Sequence, residues 1–201
     1  MKSHQLRNSH KENINITDTL TNITDLIIHH TSIFKHIDLK RILICLSSNR
    51  GNSKNGVYGK LVPLRFKNGS EKIQYKGKIY AMPKIENNKL DQLYIIYFYF
   101  PKFFDIDPYH KLSVIFHELY HISPKFNGDI RRMGKVKASH GHSKKHFDSL
   151  FENEVQNFYK YISQSKYMNF LHMDGKTIHK KHNNVYCRRM KVPKPVIIGQ
   201  S

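Results

Sequence analysis

Tryptophan is absent, cysteine occurs only twice, and 15 acidic side chains face 34 Lys+Arg. Cys45 and Cys187 lie far apart in the chain, so they form no disulfide framework and cannot alone build a Cys-rich zinc knuckle; a reducing, cytoplasmic setting is expected. Long apolar runs are missing too. The longest, Leu93 to Phe104, is broken by Pro101 and Lys102 and falls short of the ~20 apolar residues of a spanning helix. The first 12 residues are polar throughout, without the apolar stretch and small-residue cleavage site of a signal peptide. No internal repeat is visible, and no helix-turn-helix, RNP or zinc-finger pattern offers base-specific reading of nucleic acid.

What is present suffices for a folded unit. In 201 residues the chain is 39% hydrophobic, with 12 Tyr and 12 Phe, so it can bury a core despite a net charge of +19. Leu20, Ile23 and Ile27 recur at helical spacing and predict a helix from Asn15 to about His30, with Thr17 or Asp18 as N-cap. Arg41 to Leu46 reads as a short buried strand, followed by a turn-rich stretch ending in Asn55-Gly56. Val57 to Phe66, Lys72 to Tyr75 and Lys78 to Met82 read as an antiparallel meander. Leu93 to Phe100 is a buried aromatic strand, better explained as core than as a base-stacking platform.

Asp107-Pro108 starts a helix by its own chemistry: the carboxylate accepts orphan N–H bonds, and Pro has φ preset with no donor to lose. This helix should run from Pro108 to about Ile122, with Pro124 beyond it. A loop to His142 follows, then Ser143 as the cap of an amphipathic helix carrying Phe147, Leu150, Phe151, Val155, Phe158 and Ile162. The expected architecture is α+β: a small, mostly antiparallel sheet packed on the Pro108 helix and flanking helices. Residues 1–14 are expected disordered, 15–172 form the domain, and 173–201 form a basic tail that orders only on a partner.

His117-Glu118-Leu119-Tyr120-His121 is HExxH inside that helix. Imidazoles at i and i+4 project from one face and can share one Zn2+, while Glu118 stands beside them to take a proton from metal-bound water. For a chain with 14 His, a chance match is roughly 3 in 100, so context decides. The match lies on an apolar helix, after a buried strand, with a second His-rich segment downstream. A core helix with merely hydrogen-bonded imidazoles explains these features less well. A catalytic zinc takes three protein ligands and an open position. His140, ahead of Gly141, ranks first for the third; His142, ahead of the Ser143 cap, follows; His146 ranks third, and Glu152 and Glu154 lower. His29, His30, His172, His179 and His182 show no ligand spacing.

The strand, the Asp-Pro start, HELYH, the segment Ile122 to Gly134 and His140-Gly-His-Ser-Lys-Lys145 together resemble the phage-type metallopeptidases. These are similar to the SprT-like and WLM group of minimal zincins. The resemblance spans residues 40 to 160, and its specific part is residues 107 to 150. It implies an α+β zincin with one zinc per chain, Glu118 as base and protein or peptide substrates. In SprT-like proteins the third ligand lies in a His-Gly segment, and in related zincins in a His-Ser-Lys segment; this chain overlays both. SprT-like members act on DNA-bound proteins, but the accessory zinc-finger and partner motifs of the larger members are not found here. A sheet edge as the seat of an extended substrate also follows from the resemblance and from general recognition physics.

Between Lys125 and Lys145 stand seven Lys+Arg and one acid, Asp129; from Lys176 onward stand seven more and no acid. DNA or another polyanion is therefore a candidate partner, with Arg131, Arg132, Lys135 and Lys137 as phosphate contacts and Arg188, Arg189 and Lys191 in the tail. A solubilising surface explains the same charges equally well. The competing reading of the whole chain is a basic nucleic-acid-binding protein with a degenerate or structural zinc site. A monomer is expected.

Overall fold

The computed structural model describes residues 11–48, 57–133 and 143–200. Asn15 caps the first helix, its side chain accepting from the Asp18 N–H, and α1 (Ile16–His30) buries Leu20, Ile23 and Ile27 completely. The central sheet has three strands. β8 (Tyr94–Phe100) lies in the middle, parallel to β2 (Ile42–Ser48) and antiparallel to β3 (Gly59–Pro63). Strand side chains alternate between faces, and both faces are covered. Ile42, Ile44, Leu46, Tyr94, Ile96 and Phe98 join the main core beneath the helices, while Leu43, Cys45, Val62, Ile95 and Tyr97 form a smaller cluster under Met82, Ile85 and Met190.

The sheet therefore differs from the antiparallel meander expected. β2 and β8 pair in parallel across a long crossover, and β3 is separated from the hairpin of β4 (Lys72–Tyr75) and β5 (Lys78–Ala81). That hairpin instead takes β10 (Val196–Gln200) on its other side, giving a second three-stranded sheet. A short ribbon of β6 (Glu86–Asn87) and β7 (Leu90–Asp91) precedes β8.

α2 (Pro108–Tyr120) is capped by the Asp107 side chain, which accepts the His110 N–H at 3.0 Å. It buries Leu112, Ile115, Phe116 and Leu119. Beyond Ser143, the single helix expected is two: α3 (Lys144–Ser149) and α4 (Glu152–Ile162), broken at Leu150-Phe151. The break lets Phe147 and Phe151 both turn toward α2, where Phe151 meets Phe116 and Glu152 receives the Tyr109 hydroxyl. α5 (Tyr167–Leu171) ends where the buried Lys111 Nζ of α2 donates to the Leu171 and Met173 carbonyls at 2.6 and 2.9 Å.

The segment from 173 onward, read from sequence as a tail, carries structure. α6 (Gly175–Lys181) is capped by Asp174, β9 (Val185–Tyr186) pairs in parallel with β1 (Ile14–Asn15), and β10 closes the second sheet. Residues 11 and 12 are held as well, their carbonyls accepting from Asn183. The backbone pairs with distant partners, which local composition does not reveal. Among the described residues no helix is long and apolar enough to cross a membrane.

Candidate metal centre

α2 delivers the three motif side chains to one cavity. The imidazoles of His117 and His121, four residues apart, turn the same way, and their Nε2 atoms stand 3.1 Å apart. His117 Nδ1 pairs with Asp148 Oδ1 of α3 at 2.6 Å. With that nitrogen as donor to the carboxylate, the Nε2 lone pair is left facing the His121 ring. Phe147 packs on both rings, 5.0 Å from His117 and 4.6 Å from His121 between centroids. The loop after α2 steadies His121: its carbonyl accepts the Arg131 N–H at 2.6 Å.

Glu118 is 5% exposed. Its Oε2 accepts the Leu61 N–H of β3 at 2.7 Å, and Gly59 leaves room for it: a Cβ there would fall 3.0 Å from Glu118 Cγ and Oε1. Burial raises its carboxyl to about 7, against the pull of His117, the Leu61 N–H and Lys144. A cation on the two imidazoles would favour the ionised form further. Among the described residues β3 is paired on one edge only, with β8. A cavity of about 1220 Å³ runs past Gly59 and Leu61 of β3 to Val114, His117, Glu118 and His121 of α2, with Lys144 and Asp148 across from them.

A sequence model of a family described as "Putative phage metallopeptidase" matches residues 14–186. The chain belongs to that family. No curated protein and no solved structure matches the chain. The phage metallopeptidase match takes in β9 and stops short of β10, so the matched residues include the central sheet and the six helices of the described residues.

The paired imidazoles fit the metal that this family name implies. Two nitrogens bound at ~2.05 Å to a tetrahedral zinc stand about 3.3 Å apart, close to the separation found, and an Asp on the far nitrogen of one His is the usual support of such a ligand. Among the described residues no group of three or more His, Cys, Asp or Glu side chains is placed to hold a metal. His140 and His142, the leading candidates for a third ligand, lie outside the described residues, as do Lys135 and Lys137. His146 is exposed on α3, and Glu152 is engaged by Tyr109.

Arg131 and Arg132 make internal contacts. Arg131 Nε donates to the Tyr120 carbonyl at 2.7 Å with its guanidinium 4.2 Å over the Tyr120 ring, and Arg132 pairs with Asp129 at 2.9 Å. Sequence reasoning missed Asp148, Gly59, the Leu61 N–H and Lys144. Only Asp148 had a signal, since a ligating His needs a carboxylate partner, but nothing singled out which of 15 acids it was.

Proposed function

We propose that the chain is a zinc-dependent peptidase using His117, Glu118 and His121. The observation that carries this is the convergence of the two Nε2 atoms, 3.1 Å apart, beside a buried carboxylate on the wall of an open cavity. His117, His121 and a third ligand, His140 or His142, would hold zinc, which would supply a Lewis acid for the scissile carbonyl and for water. Glu118 then serves as the general base: it takes a proton from the water whose oxygen bonds to the carbonyl carbon, and returns it to the amine nitrogen as the C–N bond breaks. Asp148 holds the His117 ring so that Nε2 stays unprotonated. The edge of β3 that faces the cavity, whose Leu61 N–H Glu118 holds, offers its remaining backbone groups to an extended peptide, with the scissile carbonyl next to Glu118.

The test is Glu118→Gln assayed on an unfolded protein such as casein. The variant should bind zinc as the parent does and lose about 100-fold or more in kcat, the scale of general-base contributions. Equal activity in parent and variant would end the role of Glu118.

A further inference from the structure

The second sheet stands apart from the core in its surface chemistry. The central sheet is covered on both faces, whereas β4 is exposed along its whole length and β10 along most of its own. Register fixes what shares a face. Ile73 lies opposite Tyr80, which lies opposite Ile197, and Tyr75 lies opposite Lys78, which lies opposite Gln200. One face thus carries a row of Ile73, Tyr80 and Ile197 beside a row of Tyr75, Lys78 and Gln200. Ile73, Tyr75 and Ile197 are 40%, 58% and 54% exposed, and Tyr80 is half-buried between the two isoleucines. Contiguous apolar surface of this kind on a charged protein marks a binding face.

The charge around the face selects its occupant. Residues 72–81 contain Lys72, Lys76 and Lys78 and no acid; residues 187–200, leading into and forming β10, contain Arg188, Arg189, Lys191 and Lys194 and again no acid. Arg188 and Lys191 run along the central sheet, where Arg188 reaches the Ile44 carbonyl and the Lys191 carbonyl accepts the Tyr97 hydroxyl, whereas Lys78 shares the face with Tyr75 and Lys76 Nζ sits 5.4 Å over the Tyr75 ring. A second copy of a chain with net charge +19 would be repelled from such a face. A polyanion would be attracted, and one whose planar groups stack on aromatic rings matches both halves of the surface.

We infer that this face binds single-stranded nucleic acid, with Tyr75 and Tyr80 as stacking surfaces and Lys76 and Lys78 as phosphate contacts. Stacking requires unpaired bases, so a single strand binds better than a duplex of the same length. The site is separate from the HExxH cavity and does not depend on the peptidase reading.

The experiment is fluorescence anisotropy of a labelled oligonucleotide of about 20 nucleotides, titrated with the full chain over a range of salt. Single strand should bind more tightly than duplex, and Tyr75→Ala should weaken it about tenfold while Tyr75→Phe keeps the parent affinity. Lys76→Ala with Lys78→Ala should flatten the dependence of log K on log salt by about 1 to 2. Tyr75 is an exposed edge position, and an unchanged far-UV circular dichroism spectrum and Tm in its variants show that the fold persists. The proposal is overturned by no binding at the lowest salt, by Tyr75→Ala matching the parent, or by equal binding of duplex and of a base-free polyanion such as heparin. Sedimentation showing a dimer that Tyr75→Ala dissolves would overturn it in favour of contact between copies.

Discussion

At the scale of single residues, the site divides into what one helix places and what distant chain supplies. His117, Glu118 and His121 are legible because a helical turn sets their spacing, whereas Asp148 is 31 residues from His117 and the Leu61 N–H is 57 residues from Glu118. Asp148→Ala should leave Glu118 in place but weaken zinc binding roughly 10- to 100-fold, as loss of a ligand's carboxylate partner does; competition with a zinc chelator measures it. Gly59→Ala puts a methyl 3.0 Å from Glu118 Cγ and Oε1 and from Val114 Cγ1. Something must move, and the carboxylate is the movable part. The expected result is kcat lowered at unchanged zinc content; parent-like kcat would remove Gly59 from the site's construction.

At the scale of elements, α2 is the best-determined piece, since cap, first-turn proline and apolar periodicity agree. Asp107→Ala removes the side chain that accepts the His110 N–H and should cost about 1 kcal/mol in chemical denaturation. The same helix buries Lys111 among Asp105, Asp107 and Asp174, and desolvation pushes its ammonium down to about 8. An unfolded lysine titrates near ~10.4, so between about pH 8 and 10 the unfolded chain holds a proton that the folded one releases. The Lys111 contribution to stability should therefore rise with pH in this window, by up to about 1.4 kcal/mol per pH unit. Cys45, which burial pushes up to about 11, opposes this contribution from ~8.5, where an unfolded thiol ionises, and Tyr94, Tyr97 and Tyr109, raised to about 12, oppose it above ~10. Lys111→Gln keeps a donor for the carbonyls and should make stability fall more steeply, or rise less, between about pH 8 and 10 than in the parent; identical slopes in the two would assign the effect elsewhere.

Elements defined by local signals were readable: α1, β2, β8 and α2 stand within a few residues of where periodicity and caps put them. Those defined by partners were not. Val196 to Ile198, preceded by Pro193 and Pro195, looks like the end of a tail until it pairs with β5, and no Gly or Pro announces the break between α3 and α4.

At the scale of the whole molecule, the cavity lies where β3, α2 and α3 meet, and metal bound by His117 and His121 would lock the α2 ring that Asp148 of α3 holds. A ligand taken up only by the folded state stabilises it by mass action, by about 2.7 kcal/mol at 100 times its Kd. Removing zinc with a chelator should lower Tm reversibly in the parent and leave His117→Ala unmoved. The most direct measurement is elemental analysis of tag-free parent protein alongside His117→Ala, His140→Ala and His142→Ala. The account predicts about one zinc per chain, lost with His117 and with one of the other two; a parent without zinc, even after zinc is supplied, would contradict it.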